Sequence, residues 1–217
     1  ANPHHSGSCQ AFWSGAIITN KAGKRIVDES LSYKLLGDAA LKEENGIAYI
    51  VFDEHIRQKR MKAKLAEKKW MEVYDQGKEP ECAFRGNTIE EAALKAGLDP
   101  KGLAETIKNY NKNIENKVVD PDFGRKTLNS GSGELVKIET GPFYIYPATA
   151  RLVATYCGVK ITPRAEVLNV FGETIPHLYA CGEMTGGIHG AAYMTGSSIG
   201  KAMAFGRIAI KAMSEKA

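Results

Sequence analysis

Two glycine-rich turns lie close together near the C-terminus, residues 182–187 (Gly-Glu-Met-Thr-Gly-Gly) and 186–190 (Gly-Gly-Ile-His-Gly), and neither is a phosphate cradle. A dinucleotide cradle needs a strand, a G-x-G-x-x-G turn and a helix whose free N–H groups receive the pyrophosphate, with an acidic residue about 20 positions on. No such unit occurs in the 217 residues. The chain therefore reads as part of a larger assembly.

With 43% hydrophobic and 25% charged residues the composition is that of globular material, enough for one sizeable core or a core plus a smaller lobe. The net charge of +4 is modest, and basic residues cluster at 55–60 and 62–69. A solvated helix face accounts for such a run. A nucleic-acid patch would interleave aromatics, and only Trp70 is near, so no nucleic-acid partner is expected. Cys9, Cys82, Cys157 and Cys181 show no C-x-x-C spacing, no haem-attachment motif and no histidines at metal-ligand intervals, which predicts free thiols in a reducing compartment and no metal site. No apolar run approaches the roughly 20 residues that span a bilayer, and the N-terminus lacks a basic-then-apolar leader. A soluble, cytoplasmic chain is expected, with the periplasm open if a preceding N-terminal half carries a signal.

Residues 15–20 read as a short apolar strand, 21–24 as a turn with Gly23 at positive φ, and 25–28 as the return of a β-hairpin. Ser30 or Ser32 is placed to cap a helix over 33–44, and residues 46–52 form a buried strand. Thr88 and Glu91 have capping-box spacing before a helix to about Lys95. Asp99 and Pro100 supply an N-cap and a first-turn proline for a helix in which Leu103, Ile107, Tyr110 and Ile114 share one face. Residues 129–133 (Asn-Ser-Gly-Ser-Gly) read as a joint. Beyond them come strands and tight turns, then an amphipathic helix over 198–213.

The segments 15–29, 48–53, 88–111, 176–183 and 185–190 together resemble the FAD-dependent fumarate reductase and succinate dehydrogenase flavoprotein superfamily, in its flavocytochrome c-like, urocanate reductase-like and ketosteroid dehydrogenase-like branches. The resemblance covers the C-terminal half of such proteins. It implies an α+β fold: a capping-domain lobe inserted into the C-terminal part of an FAD-binding α/β domain whose N-terminal Rossmann half is missing from this chain. The corresponding domains are 1–20 and 134–217 as parts of the FAD-binding domain and 21–133 as the capping, substrate-lid lobe. FAD is the implied cofactor, and an N-terminal FAD-binding chain or fragment the implied partner.

Residues 175–181 form a strand that delivers Gly182 and Glu183. A carboxylate there can accept hydrogen bonds from sugar or ribityl hydroxyls, and the glycine lets a ligand approach the backbone. Ser197, Ser198 and Ile199 open the final helix, whose dipole can stabilise negative charge at the N1/O2 edge of a flavin. His189, in its glycine-flanked turn, orients backbone or contacts flavin.

In the fumarate-reducing branch an arginine of the capping domain delivers the proton, a glutamate and a second arginine support it, and a histidine and another arginine clamp substrate carboxylates. Alignment on the shared motifs puts Tyr33, Cys9, Phe12, Ala154 and Tyr193 at those five positions. A dicarboxylate buried without guanidinium partners is strongly destabilised. The expected substrate is therefore a neutral or singly charged small-molecule alkene beside an activating carbonyl, or its saturated partner. The resemblance to ketosteroid dehydrogenases assigns proton transfer to Tyr33 or Tyr193, with Thr155, Tyr156 and Gly196 lining the substrate pocket and hydride passing at flavin N5. Two alternatives stay open: a non-catalytic stand-alone capping-lobe fragment, and a fumarate- or urocanate-type reductase whose cationic residues come from another chain.

Overall fold

The computed structural model describes residues 2–4, 7–63, 67–129, 131–151, 157–189 and 196–215. The chain divides into two compact units, Ala1–Arg151 and Leu152–Ala217.

The first unit is built on an antiparallel sheet of four strands, β1 (Ile17–Thr19), β2 (Ala48–Asp53), β3 (Phe84–Gly86) and β4 (Phe143–Ala148), in the order β1-β2-β4-β3. The run Ala-Tyr-Ile-Val-Phe makes β2 apolar on both faces, and it takes an interior place, with Val51 opposite Ile17 on one side and Ile145 on the other. The expected hairpin after β1 closes as a single bridge, Thr19 to Arg25, around Gly23 at φ +73°. β4 completes this sheet, so the first compact unit runs past residues 129–133 to Arg151. A strand pairing across 90 residues leaves no local trace in composition.

Six helices are described: α1 (Tyr33–Ala40), α2 (Glu54–Lys62), α3 (Lys68–Asp75), α4 (Ile89–Ala96), α5 (Pro100–Glu115) and α6 (Ser197–Ser214). α1 stops four residues short of the expected end, and Ser32 is its N-cap without a side-chain cap bond. Thr88 caps α4 by accepting from Glu91 N, and Gly97 ends it in the left-handed conformation. Asp99 caps α5 by accepting from Lys101 N. Leu103, Ile107 and Tyr110 are buried along α5 and Ile114 packs on the same core. Each such Leu or Ile withdrawn from water contributes about 1.5–3 kcal/mol before entropy is counted.

The basic run is not simply a solvated face, which corrects the expectation. His55, Lys59, Lys62 and Lys69 are exposed, but Arg57 and Arg60 are buried between α2 and α3. Arg57 donates to Glu54 at 2.8 Å and to the Met71 carbonyl at 2.9 Å; Arg60 donates to Glu67 and, at 3.2 Å, to Ser14 Oγ. A guanidinium fork can satisfy several buried acceptors at once, which lysines at the same sites could not.

The second unit holds a hairpin of β5 (Glu166–Leu168) and β6 (Thr174–Tyr179), a parallel bridge between Val159 and Thr185, and α6. Asn169 closes the hairpin by accepting from Phe171 N and Glu173 N.

Candidate flavin-facing site

In the second unit β6 leads to a tight turn at residues 182–185. Gly182 sits at φ +79°, and a Cβ there would meet only Ala202 Cβ at 3.9 Å, so the backbone is open to a ligand. Thr185 is fully buried and donates from N and Oγ1 to the Gly182 carbonyl at 3.1 and 2.7 Å. Val159 N reaches the Met184 carbonyl at 2.8 Å, and Gly186 N reaches the Val159 carbonyl at 3.1 Å. This backbone contact is so close that a Cβ on Gly158 would lie 2.3 Å from the Met184 carbonyl oxygen. Glu183 projects from the turn with an exposed side chain.

α6 begins at Gly196, φ +91°, and no described side chain caps it. The dipole at this end presents positive potential, which favours negative charge nearby. Ser197 and Ser198 are half-buried, Ile199 is exposed, and Ser197 Oγ lies 3.3 Å from His189 Nδ1. The open glycine turn, the carboxylate beside it and the uncapped helix end match the hydroxyl-rich and anionic parts of FAD, so the residues fit that cofactor. Gly182, Glu183, Gly196, His189, Ser197, Ser198 and Ile199 all belong to this unit. Thr155, Tyr156 and Tyr193, with Ala154, lie outside the described residues.

Tyr33 belongs to the first unit. It opens α1, half-buried, with its ring edge-on to Trp13 at 6.5 Å, and Trp13 is edge-on to Phe12 at 5.1 Å. Phe12 and Cys9 are core residues. Burial, reinforced by the charge of Glu67, pushes the Cys9 thiol far above its usual range, so it is no thiolate nucleophile. A groove lined by Asn20, Lys21, Glu43, Glu44 and Tyr49 marks the first unit's surface, and none of the expected site residues lines it. Among the described residues no group of His, Cys, Asp and Glu could hold a metal ion, and no helix is long and apolar enough to cross a membrane.

The segment leading to Tyr33 is anchored by a buried ion network that sequence reasoning missed. Glu29 is wholly buried and accepts from Ile18 N at 3.0 Å, Arg25 Nη2 at 2.7 Å and Arg125 Nη1 at 3.2 Å. Asp120 accepts from Arg25 Nη1 at 2.7 Å, and Arg125 also donates to the carbonyls of Phe12 and Ala16 at 2.7 and 3.1 Å. Burial alone would raise the Asp120 carboxyl, but the hydrogen bond and charge of Arg25 outweigh it and hold the group below the usual carboxylate range. Arg125 is 96 residues from Glu29, so no local pattern announces the pair.

Residues 5–199 match the FAD binding domain family. The chain is 33% identical, over 92% of its length, to the NADH:acrylate oxidoreductase of Vibrio harveyi, of which it covers 18%. It is 32% identical, over 90% of its length, to the fumarate reductase (cytochrome) of Shewanella frigidimarina, of which it covers 31%. The solved open conformation of a flavocytochrome c3 fumarate reductase aligns at TM-score 0.68 and 29% identity, over 96% of this chain and 34% of that one. The chain thus spans a third or less of the length of both curated relatives.

Proposed function

Because this chain belongs to the FAD binding domain family, we propose that it is the C-terminal portion or subunit of an FAD-dependent oxidoreductase that reduces or forms a carbon–carbon double bond beside an activating carbonyl. The observation that carries this reading is the pairing of an open Gly182-Glu183 turn with an uncapped α6 terminus in one unit. A chain that had left flavin chemistry behind would have no structural need for either. In this reading residues 21–133 form the capping lobe, and 1–20 with 134–217 belong to the FAD-binding domain.

Glu183 accepts hydrogen bonds from ribityl or ribose hydroxyls, and the N–H groups of Ser197, Ser198 and Ile199 face the N1/O2 edge. FAD, when bound, supplies the hydride carrier at N5. Tyr33 or Tyr193 gives the proton to the neighbouring carbon in the reducing direction and takes it in the other. The substrate carries at most one charge, since Ala154 and Tyr193 stand at the two positions that would clamp substrate carboxylates and neither is a cation. The similarity to a protein named for acrylate, an alkene with a single carboxylate, supports that limit.

A polypeptide carrying the nucleotide cradle completes the site. The exposed face of α6 favours such a cover: Ile199, Met203, Gly206, Ile210 and Met213 fall on one stripe, and its four large side chains are 46–72% exposed. Co-production of these 217 residues with an FAD-bearing N-terminal polypeptide is expected to give a yellow complex that reduces acrylate-type alkenes with a chemically reduced donor. A colourless pair that does not associate would end the proposal, and turnover of fumarate in preference to acrylate would move the reading to a dicarboxylate enzyme with cations from the other chain.

A further inference from the structure

The second unit buries a lysine. Lys201, the fifth residue of α6, is 8% exposed. Its Nζ donates to the Thr185 carbonyl at 3.1 Å, and among the described residues no carboxylate lies within ion-pair distance of it. One carbonyl does not replace the hydration shell an ammonium loses on burial, and a buried cation is ordinarily matched by an anion. Its place on the helix sharpens the point. Helical side chains lean toward the N-terminus, so the ammonium is carried back toward the first turn of α6, where the helix dipole already presents positive potential. Stability alone would favour an acidic residue there, yet the first turn of α6 has none. Two positive potentials set together, with no carboxylate at ion-pair distance of the ammonium among the described residues, point to a negative charge that arrives with a ligand.

The contact has a second consequence. The Thr185 carbonyl that Lys201 engages belongs to the residue whose N and Oγ1 both close on the Gly182 carbonyl, so the ammonium ties α6 to the turn bearing Glu183. We propose that Lys201 is a positioning residue of the flavin site: it fixes the 182–185 turn against α6 and adds a buried positive charge that favours the reduced, anionic cofactor over the oxidised one. This rests on the reading above that the α6 terminus faces the N1/O2 edge of FAD.

Charge and positioning are separable by substitution. Lys201→Gln keeps an N–H donor toward Thr185 and loses the charge, Lys201→Arg keeps both, and Lys201→Met, whose side chain fills similar space, serves the same comparison should the Gln variant not assemble. The test is the midpoint potential of bound FAD in the assembled holoenzyme, with sulfite binding as a second readout, because the sulfite adduct also places negative charge on the ring. Loss of the charge is expected to weaken the preference for the reduced cofactor at least tenfold, about 30 mV for a two-electron couple, and to weaken sulfite binding by a similar factor, while Lys201→Arg stays near the parent. An unchanged potential in a complex that still binds FAD overturns the role of Lys201 and leaves the flavin reading standing. A variant that loses affinity for oxidised and reduced FAD equally also overturns it, assigning the charge to cofactor retention. Failure of the parent complex itself to bind FAD defeats the underlying reading instead.

Discussion

Gly158 has no room for a methyl group, because its Cβ would sit 2.3 Å from a backbone oxygen that already accepts from Val159 N. Gly158→Ala must push residues 158–159 away from the 184–186 segment, and a cost of about 1–3 kcal/mol follows from such overpacking. Thermal unfolding checks this, and an unshifted midpoint would mean the contact is looser than it stands. Tyr33 calls for a different measurement. In the assembled enzyme Tyr33→Phe is expected to lower kcat by about 10²–10⁴-fold, the range of general acid–base contributions, with KM little changed. Full activity in that variant would pass the proton to another group. Tyr33 was visible in the sequence; the constraint on Gly158 was not, because it comes from a carbonyl 26 positions away.

Arg25, Glu29, Asp120 and Arg125 join β1, the hairpin return and the 120–125 turn, with Arg25 also stacked 5.3 Å from the ring centre of Tyr110 on α5. Glu29→Gln removes the one carboxylate both guanidinium groups share. Breaking a buried pair from one side costs about 3–5 kcal/mol, so the urea midpoint should fall markedly; an unchanged midpoint would show the network to be energetically neutral. The same elements set an acid limit. The Asp120 carboxyl is depressed in the fold, so its contribution is present in full above the unfolded-state value, about 3.9, and is lost as pH falls through the lower folded-state value. Chemical denaturation from pH 7 down to pH 2 should therefore show stability dropping below about pH 4, with the Asp120→Asn variant less stable at neutral pH and flatter across that window. Caps and periodicity made α4 and α5 legible in advance, because Thr88, Asp99 and the stripe from Leu103 act within one or two turns. The burial of Arg57 and Arg60 was not legible, since their partners Asp75 and Glu67 belong to the next helix and the turn before it.

The apolar stripe of α6 and the exposed Ile175 and Leu178 of β6 leave the second unit with large apolar side chains in water. The chain without its proposed partner should bind a hydrophobic dye and self-associate, and Met203→Glu with Ile210→Glu should suppress both while abolishing assembly with the FAD-bearing polypeptide. A chain that stays monomeric and dark with dye would count against any missing layer. Residue order alone was enough to fix local matters: the caps of α4 and α5, the positive φ of Gly23 and the buried run of β2. These depend on interactions within a few positions. The joining of β4 to β2, the ion network around Glu29 and the seating of Lys201 on the Thr185 carbonyl emerged only once the chain was folded. Each needs groups 16 to 100 residues apart to meet, and their worth comes from shared burial that no single stretch of sequence carries.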